Sequence, residues 1–177
     1  MTNSAFGKQI QNRNFLSGVA FQFNVTKFPK VDFFSNSAII PVLNLELAQQ
    51  ASYLKNIAVP GERLTYGDFT LRFLVDENME NYKSVYDWLT GLGFPETTKE
   101  FADIIKDSDG QTDPKEAFCD GTLRILNSNY REVAKVKFSD LFPISLTSLD
   151  FDATNTDVQF FTAEATFKYT LYKLSTD

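Results

Sequence analysis

Histidine is absent from this chain of 177 residues, and cysteine occurs once, as Cys119. Without histidine the chain lacks the commonest general base, the usual zinc ligand and the imidazole of Ser or Cys catalytic triads. A single cysteine excludes an internal disulfide, and no histidine is present to activate it as a nucleophile. We therefore expect a buried or incidental thiol, no cofactor, no metal and no enzymatic activity.

Long apolar runs and an excess of positive charge are also missing. The longest apolar runs are too short to cross a bilayer, and the polar stretch from Met1 to Asn14 lacks the apolar core of a secretory signal. We expect synthesis in the cytoplasm and no membrane contact. The formal net charge of -6 argues against a broad surface that neutralises nucleic-acid phosphates, although DNA can still pass nearby.

Aromatic residues are abundant, with 18 Phe and 7 Tyr. Such side chains suit a half-buried pleated surface, so the composition favours a mainly β protein with little helix. The length suffices for one well-filled core and is short for two. We predict a flexible N-terminal arm over residues 1–14 and a single β domain over residues 15–177.

The clearest local pattern is a strand followed by a helix. Residues 68–75 alternate between apolar and polar side chains, the period of a strand with one buried face. Three- and four-residue spacing then predicts a helix over about 78–91, with Asn78 as its N-cap. The predicted buried stripe is Met79, Tyr82, Val85, Tyr86 and Leu89. The predicted residues that anchor this helix to the sheet are Tyr82, Tyr86, Trp88 and Leu89.

Proline and glycine divide the rest of the chain. An apolar run from Ala38 to Leu47 contains Pro41, which predicts an edge strand or a strand that begins after this proline. The Pro60-Gly61 pair predicts a turn. Residues 96–118 are expected to form a long loop with about one helical turn.

Short alternating segments follow over residues 121–127, 132–138 and 145–152, which we interpret as a meander with a break at Pro143. Residues 158–174 then alternate without interruption. At about 3.4 Å per residue such a strand would be about 55 Å long, far beyond the usual length. Either it bends sharply, or part of it leaves the subunit and pairs with a neighbouring copy.

Two acidic groups are candidate sites. The segment from Asp107 to Asp113 resembles the start of a calcium loop but lacks the third acidic residue before the glycine and a Glu at the last position, so a solvated acidic loop is the stronger interpretation. Asp150, Asp152 and Asp157 flank the connection to the last strand. Paired carboxylates can perform acid and base chemistry, but Asp is also a common turn residue, and an acidic stripe facing solvent or an assembly is the simpler interpretation.

Three phrases in fixed order carry a resemblance to a known family. They are PGERLTYGDFTLRFLVDENMENYKSVYDWL, GTLRIL and VAKVKFSDLFPISLTSLDFDATNTDVQFFTAEATFKYTLYKL. Their features include the strand end Val75-Asp76-Glu77, the helix end Asp87-Trp88-Leu89 and the aromatic-proline step Leu141-Phe142-Pro143. Over about residues 59–174 the chain resembles the tail-tube family of phages with long contractile tails.

The resemblance implies an antiparallel β-sandwich or barrel (mainly β, α+β) with one flanking helix over about 78–91 and a long loop over about 96–118. It also implies a structural virion protein, six copies of which form a ring around a DNA channel. Length and the phrase LRFLVDENMENYKSVYDWL are most similar to members that terminate the tube at its head-proximal end, stabilise the sheath and join the tail to the neck. The alternatives within the family are a tube subunit and a baseplate tube initiator.

The implied partners are further copies of the chain, the tail tube protein, the tail sheath protein and a neck or head-completion protein, while DNA passes transiently without specific binding. Asp150, Asp152 and Asp157 become candidate lumen or ring-face positions. Two alternatives from other classes stay open. One is a tail-associated hydrolase that uses Asp150 and Asp152, and the other is a calcium- or carbohydrate-binding β domain.

Overall fold

The computed structural model describes residues 16, 18, 20–28, 34–106, 113–151 and 160–176. Nine strands, two α-helices and one 3₁₀ helix lie within these residues. The strands are β1 Phe21–Val25, β2 Phe34–Ile39, β3 Leu43–Gln50, β4 Ile57–Tyr66, β5 Phe69–Leu74, β6 Cys119–Leu126, β7 Glu132–Leu146, β8 Thr162–Lys168 and β9 Leu171–Thr176. The helices are α1 Glu80–Gly93, α2 Thr98–Ile104 and the 3₁₀ helix Pro114–Ala117. The expectation of a mainly β protein is confirmed.

One seven-stranded antiparallel sheet forms the body of the protein, with six strands in the order β1-β6-β7-β8-β5-β2 and the seventh, β9, paired with β7. Strand β7 belongs to both halves of this sheet, because its first part pairs with β9 and its last part pairs with β8. The halves face each other across aromatic side chains. The ring of Phe69 lies 5.0 Å from that of Phe23 and 4.5 Å from that of Phe138. The arrangement is a β-sandwich with a phenylalanine core.

Strand β7 continues through the proline that was expected to end it. Pro143 is buried and lies opposite Phe167 of β8. The register shifts between Pro143 and Ser145, and a proline is tolerated at such an irregularity because one ladder hydrogen bond is already lost there. The predicted segments 132–138 and 145–152 are therefore wrong as separate strands, and the strand ends at Leu146.

The long alternating segment near the C-terminus bends instead of leaving the subunit. Strand β8 ends at Lys168 and β9 begins at Leu171. At the bend, the backbone N–H of Thr170 donates to the carbonyl of Ser139, 3.0 Å away. Asp140 beside it has φ 56, where β7 turns from one half of the sheet to the other. Of the two alternatives left open for this segment, a sharp bend within the subunit is therefore confirmed for residues 162–176.

Helix α1 begins two residues later than predicted. Met79 precedes it with φ 57, and no side chain caps this position. The Asn78 cap is therefore wrong. Instead, Asn81 is 2% exposed, and its Oδ1 accepts hydrogen bonds from the backbone N–H groups of Asp76, at 3.2 Å, and Tyr82, at 2.8 Å. Its Nδ2 donates to the carbonyl of Leu74 at 2.8 Å. One buried amide thereby joins the end of β5 to the start of α1.

The region predicted as a long loop over 96–118 contains two short helices among its described residues. Helix α2 packs against α1, where a Cβ on Gly91 would lie only 1.8 Å from Cδ1 of Ile104. Asp113 caps the 3₁₀ helix because its carboxylate accepts from the backbone N–H of Lys115 at 2.9 Å. Residues 107–112, which include Asp107 and Asp109 of the calcium-loop candidate, lie outside the described residues.

Strands β3 and β4 form a separate two-stranded sheet. β3 starts after Pro41, as one of the two sequence interpretations proposed. Pro60-Gly61 lies inside β4, so the predicted turn is wrong. Between the pairs Leu45–Leu64 and Leu47–Pro60 the register shifts, with one residue of β3 facing three of β4. A Cβ on Gly61 would lie 2.3 Å from the Glu46 carbonyl oxygen, which is why glycine is needed there.

Candidate assembly surfaces

The β3–β4 hairpin is amphipathic and almost wholly exposed. Directly opposite residues share a face, and the register places Leu43 opposite Tyr66 and Leu45 opposite Leu64. The leucines of this face are 42 to 68% exposed: Leu43, Leu45, Leu47 and Leu64. We call these four residues the leucine face. The other face is polar near the base of the hairpin, where Glu46 and Arg63 form an ion pair of 4.0 Å, and carries Ala48, Val59 and Ile57 toward the tip.

A tyrosine cluster fixes the base of the hairpin to the sandwich. The ring of Tyr66 lies 6.0 Å from that of Tyr169 and 5.5 Å from that of Tyr172. The Tyr169 hydroxyl donates to the carbonyl of Gly67 at 2.8 Å, and the Tyr172 hydroxyl donates to the carbonyl of Pro41 at 3.3 Å. Burial raises the pKa of Tyr169 to about 12, so this hydroxyl stays a donor at neutral pH. The sandwich therefore determines the direction in which the hairpin projects.

The exposed leucine face is suited to burial against another surface. A two-stranded hairpin is marginally stable alone in water, and large apolar patches on soluble proteins mark contact sites. Both outer edges of this ribbon are also free of strand partners among the described residues. The hairpin can therefore pair with or pack against another protein chain, which is the first candidate assembly surface.

A second apolar surface lies where β5 leads into α1. It is a groove of about 530 Å³ that is lined mainly by apolar side chains and whose charged lining residues, Asp76 and Glu77, are both acidic. We call it the Phe151 groove. Its apolar lining consists of Leu74, Val75, Met79, Leu149, Phe151, Phe160 and Phe161. Phe160 is 82% and Phe151 68% exposed, and aromatic and Met side chains exposed in this way are typical of protein interfaces.

Three of the four predicted anchors of α1 face the sheet. Trp88 is 1% exposed, and its Nε1–H donates to the carbonyl of Ala117 at 3.1 Å. Tyr82 and Leu89 are partly buried against the core. Tyr86 is 53% exposed and lies on the solvent side, so the sequence pattern misplaced it. The buried stripe of α1 consists of Asn81, Val85, Trp88 and Gly91. The Trp88 indole and the close contact of Gly91 with α2 both require the side of the helix that faces the protein interior.

The acidic candidates near the last strands are only partly described. Asp150 is exposed, between the two groove residues Leu149 and Phe151. Asp152 and Asp157 lie outside the described residues. The assignment of these three carboxylates to a lumen or ring face therefore stays a prediction.

Cys119 is a partly buried thiol next to a structural lysine. Burial raises the pKa of Cys119 to about 12, so the thiol is neutral at pH 7 and a poor nucleophile. The Lys27 ammonium donates to the carbonyls of Glu116, at 2.7 Å, and Ile104, at 3.3 Å, and lies over the Trp88 ring at 5.8 Å. Burial lowers the pKa of Lys27. These contacts join β1 to both short helices.

The described residues contain no group of three acidic or cysteine side chains placed to hold a metal ion. Within the same residues, no helix is long and apolar enough to cross a membrane. The prominent features are instead the leucine face and the Phe151 groove on a rigid β-sandwich. Together they define a structural protein that assembles with other chains.

The family model of the phage tail tube proteins matches residues 2–175. The chain therefore belongs to the phage tail tube protein family, which confirms the resemblance found in the sequence. This is a family of structural tail proteins, and the chain is not an enzyme. The comparison with curated proteins gave no match.

Several solved structures share the fold. A chain of the tube-terminating cap of the anti-feeding prophage has a TM-score of 0.67 at 16% identity, and the match covers 98% of this chain and 99% of that one. A chain of the six-fold symmetrised baseplate of the same particle gives 0.59 at 14% identity, with 88% and 91% covered. The sheath/tube terminator of an extracellular contractile injection system, PVC, gives 0.57 at 20% identity, with 92% and 97% covered.

Sequence reasoning missed both assembly surfaces. For the hairpin, the signal was the alternation of Leu43, Leu45 and Leu47, which predicted an edge strand or a strand that begins after Pro41 but not a hairpin with an exposed leucine face. For the Phe151 groove, the phenylalanines at 151, 160 and 161 are far from Met79 in sequence, and the pairing of β5 with β8 and the contact of Phe151 with Phe161 bring them together.

Proposed function

We propose that the chain forms a six-membered ring that terminates a phage tail tube at its head-proximal end, stabilises the sheath and joins the tail to the neck. It would thus be a structural component of the virion tail. Membership of the tail tube family supports a role in the tube. The match with the tube-terminating cap, which covers nearly the whole of both chains, is the observation that carries termination over the other roles.

The leucine face supports assembly as the mode of action. Burial of apolar surface contributes roughly 25 cal/mol per Å², so a ring or stack that covers four half-exposed leucines gains substantial free energy. The hairpin of one chain and the surface of the neighbouring chain that buries it are two different surfaces. Such a heterologous contact closes into a ring when its rotation returns on itself.

The six-fold symmetry is supported by the similarity to the six-fold symmetrised baseplate chain. Contact with sheath is supported by the similarity to the sheath/tube terminator of PVC. The net charge of -6 suits a channel through which DNA slides without specific binding. Asp150, with Asp152 and Asp157, is our candidate for the surface that lines the channel or faces the next ring.

The second candidate role is that of a tube subunit or a baseplate tube initiator. The description of the family and the similarity to a baseplate chain favour it. The roles differ in one physical respect. A tube subunit has complementary surfaces on both sides of its ring and so polymerises, whereas a terminator docks through one side and stops growth.

The test is tube growth in the presence of this protein. The tail tube protein from the same phage is polymerised with rising proportions of this chain, and tube lengths are measured by electron microscopy. A terminator shortens the tubes as its proportion rises and labels only their ends. Unchanged lengths, or label distributed along the tubes, would contradict termination.

A matched pair of variants connects this effect to the hairpin. Leu45→Asp introduces a charge into the leucine face, and Asn44→Asp introduces the same charge on the polar face next to it. We expect Leu45→Asp to lose the shortening of tubes and Asn44→Asp to retain it. Equal behaviour of the two variants would show that the leucine face is not the docking surface.

A further inference from the structure

The tip of the hairpin is the most exposed apolar part of the described chain. Residues 51–56 connect β3 to β4, and within them Tyr53 is fully exposed and Leu54 is 89% exposed. Lys55 follows directly. An aromatic and an aliphatic side chain held together in water, with a cation beside them, form an anchor that fits an apolar pocket with an acidic rim.

The Phe151 groove has this complementary chemistry. Its volume of about 530 Å³ lies within the range of about 300–1,000 Å³ that is typical of occupied pockets, and is ample for two such side chains. Phe151 and Phe161, which both line the groove, have their rings 4.6 Å apart. Asp76 and Glu77 also line it, together with Met79, whose flexible side chain adapts to an inserted group.

Within the part of the chain that the structure describes, the charges on the two surfaces have no partner of opposite sign. Across the described residues, the Lys55 ammonium and the Asp76 and Glu77 carboxylates form no ion pair. The exposure of Tyr53 and Leu54 also excludes insertion of the tip into the groove of its own chain. Each copy therefore presents one free anchor and one free receptor of opposite charge.

We propose that the hairpin tip of one copy inserts Tyr53 and Leu54 into the Phe151 groove of a second copy, with Lys55 placed against Asp76 and Glu77. The contact joins two different surfaces, so it propagates from copy to copy and closes when the rotation completes a ring. It rests on the proposed function, for which it specifies the pair of surfaces that connects adjacent copies.

Directed cross-linking tests this contact. Leu54→Cys places a thiol at the tip, and Phe160→Cys places one in the groove. A disulfide forms only when the two Cα atoms come within about 4.4–6.8 Å. The native Cys119 does not compete, since burial raises its pKa to about 12 and keeps it protonated at pH 8. Equal amounts of the two variants are mixed and oxidised mildly, and the covalent dimer is measured by denaturing electrophoresis.

We expect at least a tenfold greater yield of dimer from this mixture than from either variant alone. The control mixture combines Leu54→Cys with Tyr86→Cys, which places an exposed thiol on the solvent side of α1. An equal yield from the experimental and control mixtures would overturn the proposal.

Charge exchange provides the second test. Lys55→Glu and Glu77→Lys should each raise the protein concentration needed for half-maximal ring assembly at least tenfold at low salt. The double variant restores an attractive pair, so its assembly should return to within about threefold of the original chain. A double variant that assembles no better than the single variants would contradict the charge contact.

The result also distinguishes this proposal from the proposed function. Normal rings without the specific cross-link would refute the tip contact and leave termination intact. The cross-link without rings would support the contact and refute the ring. A third outcome is that neither the cross-link nor the ring forms, while Phe160→Cys and Glu77→Lys fail to dock on tube protein. The Phe151 groove then binds a segment of another tail protein, and the proposal of a second copy is wrong.

Discussion

Asn81 should be among the polar positions at which substitution lowers the stability of the chain most. Its side chain makes three hydrogen bonds in a site that is 2% exposed, to the backbone of Leu74, Asp76 and Tyr82. Replacement by alanine leaves these three backbone groups without their partner. They lie where β5 passes into α1 and the polypeptide lacks an ordinary helix cap.

The magnitude follows from the number of bonds. Each intramolecular hydrogen bond contributes about 1 kcal/mol net, so three give about 3 kcal/mol. Alanine returns about 0.5 kcal/mol through its higher helix propensity. Asn81→Ala should therefore lower the free energy of unfolding by about 2.5 kcal/mol, which for a chain of this size corresponds to a fall in Tm of about 5–10 °C.

The assay is urea unfolding followed by tryptophan fluorescence, since the single Trp88 lies two turns further along the same helix. The control is Asn78→Ala, which removes the same amide from an exposed position that the sequence suggested as the cap. It should change stability by less than about 0.5 kcal/mol. A loss below about 1 kcal/mol for Asn81→Ala, or an equal loss for Asn78→Ala, would refute this account of the helix start.

Three further outcomes are expected. Trp88→Ala should cost about 3–5 kcal/mol by leaving a cavity, and Trp88→Phe about 1–3 kcal/mol because the Ala117 carbonyl loses its donor, as urea unfolding would show. Gly61→Ala should speed amide hydrogen exchange in β3 and β4 without lowering the global Tm, while Gly93→Ala, which meets no atom within 4 Å, should leave that exchange unchanged. Cys119, with its pKa of about 12, should react with iodoacetamide at pH 8 at least a hundredfold more slowly in the folded protein than in urea. Because this pKa is raised in the folded state, the free energy of unfolding should fall as the pH rises above about 9. Equal rates in the folded and unfolded protein would refute this burial.

Period-2 and period-3.6 patterns predicted the elements whose burial they reflect directly. The strand over residues 68–75 and the helix after it were located to within about two residues, since Phe69, Leu71 and Phe73 all face the core. The pattern could not fix the rotation of the helix, because Tyr86 and Trp88 are both large aromatics. The hydrogen bond of the indole to Ala117 decides between them, and it joins residues 29 apart in sequence.

Long-range pairing accounts for the remaining errors. Pro143 suggested a strand end because a proline breaks a regular ladder, but the register shift beside it makes the proline acceptable. Alternation over the last segment suggested one strand because Tyr169 and Thr170 have no turn signal. Their bend is imposed by β7, which both β8 and β9 must pair with.

The leucine face explains why local pattern could not reveal function. Leu43, Leu45 and Leu47 have the alternation of a strand that is half-buried, and the sequence does not state whether the cover comes from the same chain or another. Within the described residues, these three leucines remain 48 to 68% exposed. The family resemblance supplied what periodicity could not, namely that this chain works within an assembly.

Electron microscopy of the purified protein over a rising concentration series tests the central claim most directly. A terminator should give monomers or discrete single rings at every concentration, and rings at tube ends when tail tube protein is added. Open-ended tubes built from this protein alone would show that its rings stack on one another, and would contradict termination in favour of a tube subunit.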